Sequence, residues 1–505
     1  MHKLNKLLGI GTFGSVFLAD NNKYAIKSYP LDENRFISAI SLREICCLIN
    51  LQHPNICKIY SVYIDENSVN IVMELLNENL VNYIENLSND SKKHQLILQL
   101  VDALNYIHSL NYVHGDLSFS NIMVKDDLIK LIDFSASTRA HRQYNIGKPT
   151  LYVSPPETLT ESINCTTDTW MLACVMYYIL IQKPLFCSLT EKMHKNNILQ
   201  TIQHPSKHFL DKYFEFNDND IIVPNNYLEE IKQYDEFKLI KKMLQLNPDK
   251  RIKPIEIIND ICVQNVAKKE LFDFVNDADM SQKLKSYNTT LLSFDNKIKI
   301  IEIIRKLQIH NSGELIIHIV LNCVRFLSVN NKINISLLIV SMIGLSIKLL
   351  TEFDIECQFL VLIAFDHLHY KVDSSQIKQT METICLALNW NLDVYTTHDY
   401  IQQIPENYRD FYCYIETILI LLPLNVSEQS KIITIYNILK LDVKNTIKQC
   451  ANIKINTEII NILLLLKNVT TDRHNIINIF IRANLSENLF GWLSNINFYK
   501  LINSI

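Results

Sequence analysis

The sequence predicts an α+β unit followed by an all-α region, and three observations predict it. Up to about Asn70, β-rich runs at Leu4–Leu8, Ser15–Ala19, Tyr24–Tyr29 and Ile56–Ile64 alternate with one amphipathic segment, Arg35–Leu51. From about Leu80 to Val263 helical periodicity dominates, broken by a loop-rich stretch from His114 to Asp168. Beyond residue 295, apolar side chains recur at helical spacing in Ile298–Leu307, Leu315–Leu327, Ser336–Leu349 and Ser375–Leu388, and no strand-rich segment is visible. Between the two regions, Asn265–Phe294 is mixed and polar and reads as a linker. The expected divisions are therefore 1–264, 265–294, 295–402 and 403–505, the last helical by position and pattern only.

Composition narrows the function classes. The chain has 505 residues, 48% of them hydrophobic and 20% charged, with a net charge of -4. That suits several globular units, excludes a collagen-like or disordered chain, and gives no electrostatic case for nucleic acid as the main ligand. Twelve scattered cysteines without a CxxC pair read as buried thiols in a reducing compartment. The longest uncharged apolar stretch, Ile333–Ile347, holds Asn334, three serines and a glycine, so it reads as a buried core helix and not as a membrane span. Few residues precede the first strand-like run, which leaves no room for a signal sequence; a cytoplasmic or nuclear protein is expected, with no membrane partner.

The glycines are the first chemical signal. Only eight occur, and Gly9, Gly11 and Gly14 fall within six positions. GIGTFGSVFLAD lies between two β-like runs, so it predicts a glycine-rich hairpin over phosphates and not a turn that opens a helix. YAIK then places Lys27 in the next strand, where its ammonium can reach phosphate oxygens. Glu44, on the amphipathic segment in SLREI, is a carboxylate able to pair with Lys27. HGDLSFSN supplies Asp116 and Asn121, and Asp133 of DFS follows twelve residues after Asn121. Phosphoryl transfer needs a carboxylate to take the proton of the attacking hydroxyl, which falls to Asp116, and hard oxygen ligands for Mg2+, which fall to Asn121 and Asp133. Taken singly, each of these residues is most often a cap, a turn or a solvated charge. Their common order points to phosphoryl transfer.

With these motifs in place, the stretch from Met1 to Val263 resembles a eukaryotic protein kinase. Gly9, Gly11, Gly14 and Val16 match the glycine-rich loop, Lys27 the strand lysine, Glu44 its helix partner, Asp116 and Asn121 the catalytic loop, and Asp133 the magnesium-binding aspartate. TLYVSPPE, ending at Glu157, is similar to the end of the activation segment, Asp168 and Trp170 to the central helix, and Arg251 to the arginine that pairs with that glutamate. The resemblance implies a bilobal α+β kinase fold, Met73 as gatekeeper, and Glu74 to Leu76 as the hinge whose backbone bonds adenine. SAISLREI and GTFG resemble the helix and loop of cyclin-dependent kinases. Thr150 matches a threonine near the catalytic aspartate that favours serine and threonine hydroxyls.

The second half resembles that subfamily's activator. RFLSVNNKINISLLIVSMIGLSIKLLTE, from Arg325 to Glu352, resembles a cyclin box, with Lys348 and Glu352 at its closing charges, Glu382 as the implied partner of Lys348, Lys297 in place of an opening arginine, and Val324 where an aspartate is usual. The resemblance therefore implies a kinase carrying its own cyclin-like domain, with protein substrates and with free cyclins or kinases as competing partners. A linker of about thirty residues would span about 100 Å stretched and about 30 Å as a coil, enough for docking in cis. The prominence of Asn, Ile and Lys suggests an AT-rich genome, such as that of a large DNA virus or a protist.

Five departures qualify the resemblance. Gly115 replaces the arginine before the catalytic aspartate, and Asn145 stands where an activation-loop threonine is phosphorylated, so a phosphate and its main receptor are both missing; Arg43 and Arg139 remain. Ser135 replaces a glycine after Phe134, which would restrict any backbone position there that needs positive φ. Phe13 replaces a modifiable tyrosine, leaving Thr12. Ser118 takes the place of a lysine. The alternative from a different class is a pseudokinase joined to a cyclin-like module, a scaffold or decoy without catalysis; a third reading is an atypical kinase with an HGDL loop.

Overall fold

The computed structural model describes residues 4–142, 149–202, 227–257, 286–288, 291–396 and 425–427, less Thr12, Asn21, 33–35, Asn86, 160–162, 254–255, 310–311, 352–354 and Tyr395. Asn145, Glu352 and nearly all of the expected 265–294 and 403–505 segments lie outside the described residues. The chain forms two compact units, Met1–Asp279 and Met280–Ile505.

In the first unit, β1 (Leu4–Ile10), β2 (Ser15–Ala19), β3 (Tyr24–Pro30), β4 (Ile59–Ile64) and β5 (Ser68–Glu74) form an antiparallel sheet in the order β1-β2-β3-β5-β4. One face carries Ala19, Ile26 and Val72, with Tyr24 and Tyr63 packed on them. Strand alternation sends Lys27 to the other face. The register of β1 on β2 shifts between Leu7 and Gly9, and the Gly11 amide donates to the Gly14 carbonyl at 2.8 Å, closing the expected hairpin. A side chain at Gly14 would meet the Ser28 carbonyl oxygen at 2.5 Å, so only glycine allows β2 to lie this close to β3. Helix α1 (Ala39–Asn50) starts at Ser38, whose side chain accepts from the Ser41 amide. Ser41 to Leu48 are all buried, Arg43 and Glu44 included. The helix is shorter at its start than the amphipathic pattern of Arg35–Leu51 suggests.

The rest of this unit is mainly helical: α2 (Leu80–Glu85), α3 (Asp90–Ser109), α4 (Cys165–Ile181), α5 (Glu191–Thr201) and α6 (Phe237–Met243). Short strands β6 (Glu78–Asn79), β8 (Ile122–Lys125) and β9 (Leu128–Leu131) form one ribbon, and β7 (Tyr112–Val113) pairs with β10 (Thr138–Arg139). The ribbon is stitched to the chain between α1 and β4, because the Cys57 amide donates to Leu131 at 2.9 Å and the Leu131 amide to Asn55 at 2.8 Å. Helix α4 is the spine of this part. Asn164 and Thr167 cap it reciprocally, and every residue from Thr167 to Leu180 is buried, which explains a sequence apolar all round.

Arg251 closes this core against the end of the loop-rich stretch. Its guanidinium binds both carboxylate oxygens of Glu157, Nη2 at 2.8 Å from Oε2, and lies over the Trp170 ring at 5.0 Å. Both partners are buried.

The second unit packs α7 (Phe294–Lys306), α8 (Ser312–Val329), α9 (Ile335–Leu350), α10 (Cys357–Leu368) and α11 (Ser374–Ala387). As the Ile333–Ile347 stretch suggests, α9 is a core helix, buried from Leu338 to Leu350. On α9, Gly344 faces the side-chain ends of Met381 on α11 and Leu360 on α10, which fill the space a Cβ would take. Val324 is buried, and the neighbouring Arg325 bonds Asn322 at 2.6 Å and the Asn391 carbonyl at 2.7 Å. Lys297 and Lys348 are buried, while Glu382 is half-buried. One expectation needs correction: the helical half also contains an antiparallel strand pair, β11 (Ser286–Asn288) with β12 (Asn425–Ser427). None of the described helices is long and apolar enough to cross a membrane.

Removing one partner of the buried Arg251–Glu157 pair strands a charge. Arg251→Ala is expected to cost about 3–5 kcal/mol, read as a lower denaturant midpoint in urea unfolding of the full chain. A midpoint unchanged from wild type would show that the pair is not structural.

Candidate active site

The expected site residues come from six separate segments, and three of them meet at the Lys27 ammonium. Lys27 Nζ lies 2.9 Å from both carboxylate oxygens of Glu44 and 3.0 Å from Asp133 Oδ1. Burial by itself would lower the Lys27 pKa, but the Glu44 and Asp133 carboxylates outweigh it and raise it, so the ammonium stays charged. Burial pushes the Glu44 carboxyl upward even against Lys27. For Asp133, burial pushes up while Lys27 and donors from Ser135 pull down, and the net shift is downward.

The segment after β9 explains why Ser135 is tolerated. Positive φ falls on Asp133 itself, at 61°, and the Asp133 side chain caps a short turn by accepting from the Ser135 amide at 3.4 Å. Ser135 is not among the residues with positive φ. The expected backbone restriction at Ser135 therefore does not arise.

Asp116 is held from two sides. The Thr150 amide donates to its Oδ1 at 2.8 Å, and Asn121 Nδ2 donates to its Oδ2 at 3.0 Å and to its carbonyl at 2.9 Å. With its amide nitrogen committed, Asn121 keeps Oδ1 as its acceptor. Behind Asp116 the backbone is fixed by Asp168, fully buried on α4. This carboxylate accepts from the amides of His114 at 2.8 Å and Gly115 at 2.9 Å and bonds His108 Nε2 at 2.9 Å. Gly115 has φ +82°, and a Cβ there would lie 2.5 Å from the Ala136 carbonyl oxygen. The arginine expected there is absent, and the glycine in its place suits this left-handed, closely packed backbone.

Around the mouth, Val16 pairs with Lys27 in the β2–β3 register, Gly9 has open space about it, and Phe13 is exposed. The Glu74 side chain points away from any adenine role: it accepts from the Lys58 amide at 2.8 Å and pairs with Lys130 at 2.8 Å, anchoring the end of β5. Met73 sits in β5 and Leu76 just beyond it. The Leu76 amide donates no backbone hydrogen bond among the described residues. Ser118 is fully buried and bonded to Ser120 at 2.8 Å, so no cation stands there. Arg139 is buried, donating to the Leu110 carbonyl at 3.2 Å and stacked 4.0 Å over Tyr112. Thr12 lies outside the described residues.

The donor set suits Mg2+. No group of three or more His, Cys, Asp or Glu that could hold a metal by itself occurs among the described residues. Asn121 and Asp133 offer oxygen donors, the type of which Mg2+ takes one or two from a protein while phosphates and water complete its shell.

A small sheet lobe, a helical lobe and a lysine joined to carboxylates from both define the bilobal kinase class. Residues 2–263 match the protein kinase domain family, and the chain belongs to that family. A protein assigned as a serine/threonine-protein kinase in Acanthamoeba polyphaga mimivirus is 36% identical over 190 residues, covering 35% of this chain and 35% of that protein. Cyclin-dependent kinase 1 of Encephalitozoon cuniculi is 29% identical over 272 residues, covering 50% of this chain and 92% of the relative. Cyclin-dependent kinase 2 of Caenorhabditis elegans is 32% identical over 216 residues, covering 39% and 59%. The chain thus spans about a third of the mimivirus relative and three-fifths of the nematode one.

Gly115→Ala is expected to destabilise the full chain by at least about 1–2 kcal/mol, the cost of a Cβ in a left-handed conformation, measured by urea unfolding. Wild-type stability in the variant would show that the Gly115 backbone is not held as described.

Proposed function

We propose that the chain is an ATP-dependent serine/threonine protein kinase that carries a cyclin-like activator in the same polypeptide. The observation that supports catalysis most is the assembled junction of Lys27, Glu44 and Asp133 beside an Asp116 whose two carboxylate oxygens are both held. In this reading Gly9, Gly11, Gly14 and Val16 cover the nucleotide, and the backbone of Glu74 and Leu76 binds adenine. Lys27 steadies the phosphates and Glu44 steadies Lys27. Asp116 takes the proton from the substrate hydroxyl as its oxygen attacks the γ-phosphorus, and ADP leaves. Asn121 and Asp133 would hold Mg2+, which neutralises charge on the phosphates when bound. The low Asp133 pKa keeps that carboxylate ionised for the purpose.

The full-length chain should transfer the γ-phosphoryl group from MgATP to a serine- or threonine-containing protein. Asp116→Asn should lower the rate by about 100-fold or more. No transfer above the Asp133→Asn background, in a folded preparation that binds ATP, favours the pseudokinase scaffold.

The activator reading rests on sequence: Arg43 and Glu44 on a cyclin-dependent-kinase-like helix, with the cyclin-box resemblance of Arg325–Glu352 in one chain. Tethering would raise the partner's effective concentration to about millimolar. Residues 1–264 alone should then be much less active than the full chain, and addition of the second half in trans should restore activity. Equal activity of the isolated lobe contradicts the reading.

Substrate choice is expected to depart from that of cyclin-dependent kinases. Pro149 precedes Thr150 where those kinases use a positive-φ valine, and a proline ring fixes φ near -65°. The Pro149 carbonyl also lies 3.4 Å from the Ser154 hydroxyl that donates to it. A peptide array should show no selection for proline after the phosphoacceptor; strong selection for it would refute the argument.

A further inference from the structure

Besides the Lys27 ammonium and the Phe134 backbone amide, Glu44 receives the hydroxyl of Tyr29. Its carboxylate is 1% exposed and receives the Lys27 ammonium on both oxygens, and the Tyr29 hydroxyl also donates to Oε2. Tyr29 follows Lys27 by two positions in β3, so both side chains leave the same face of the strand. The ring is buried at 1% exposure, and Lys27 Nζ stands 5.2 Å from its centroid. Gly14 backs onto it, with a Cβ there only 3.4 Å from Tyr29 Cδ1. The hydroxyl therefore has little freedom to turn elsewhere.

The logic lies in competition for Lys27. Its three N–H bonds already face Glu44 and Asp133, and in phosphoryl transfer phosphate oxygens would compete for them. A buried carboxylate that loses its cation is left uncompensated, and the helix carrying it would tend to move toward water. The Tyr29 hydroxyl faces no such rival, because it comes from within the sheet. We propose that Tyr29 is a positioning residue whose hydroxyl latches Glu44, and with it helix α1, to β3 independently of Lys27. Its catalytic consequence rests on the kinase reading; the latch itself does not.

The test uses the full-length chain and Tyr29→Phe, which removes the oxygen and keeps the ring. Acylation of Lys27 by an amine-reactive ester, followed by mass spectrometry without nucleotide, reports whether Glu44 still holds the ammonium. Lys27 is expected to label about tenfold faster in Tyr29→Phe, and kcat to fall about tenfold at unchanged KM for protein substrate, the scale of one hydrogen bond to a charged group. In a Glu44→Gln background, Tyr29→Phe should change labelling less than about twofold, because coupled residues are not additive. Wild-type labelling in Tyr29→Phe, or simple additivity of the two changes, overturns the latch. Faster labelling in Tyr29→Phe, with a wild-type chain that transfers no phosphate, keeps the latch and removes the kinase reading. If Tyr29→Phe does not fold, the 13Cζ resonance of Tyr29 in tyrosine-labelled protein decides instead: it should shift between wild type and Glu44→Gln, and a fixed position overturns the proposal.

Discussion

The Lys27 ammonium joins parts of the chain that lie 17 and 106 residues away from it, at Glu44 and Asp133. A cation of this size, in a site where it is largely removed from water, holds its partners only if they approach from fixed elements. Here β3 supplies the cation, α1 one carboxylate, and the turn after β9 the other. Move any of the three and a buried charge loses its partner. The position of α1 on the sheet and the left-handed backbone at Asp133 both follow from this requirement.

A second carboxylate organises the loop-rich stretch in the same way. Asp168 projects from a helix buried on every side and gathers the amides of His114 and Gly115 and the ring of His108. That fixes the chain just before Asp116, while Thr150 and Asn121 fix its carboxylate from the front. Arg251, through Glu157, then ties the far end of the stretch to the helical core. The site is held by buried polar pairs, whose strength depends on all partners being present.

Much of this was legible in the sequence, and the limits have physical causes. The glycine hairpin, Lys27, Glu44, Asp116, Asn121 and Asp133 could be read because phosphate chemistry demands those residue types in that order. The pairing of Arg251 with Glu157 followed from the family resemblance. Ser135 was misjudged because positive φ was expected after Phe134, whereas it falls on Asp133. The backbone role of Gly115 went unread, since nothing local reveals a carbonyl 2.5 Å from the missing Cβ. Tyr29 went unread although it shares a strand face with Lys27, because a tyrosine in a strand is ordinarily packing. Helix α10 also escaped: CQFLVLIAFDHL is nearly continuous in apolar residues, and Phe359, Leu362 and Phe365 face outward, so no period stands out. Strands of three residues, as in β11 and β12, leave no alternation to detect.

The central claim is that the junction at Asp133 is built to hold metal-bound ATP in a protein kinase lobe. It is tested most directly by equilibrium binding of ATP to the full chain, with and without Mg2+, for wild type and Asp133→Asn. The account predicts that Mg2+ tightens ATP binding in wild type and that Asp133→Asn loses this gain while remaining folded. ATP affinity that ignores Mg2+ in wild type, or a gain that survives unchanged in Asp133→Asn, would contradict it.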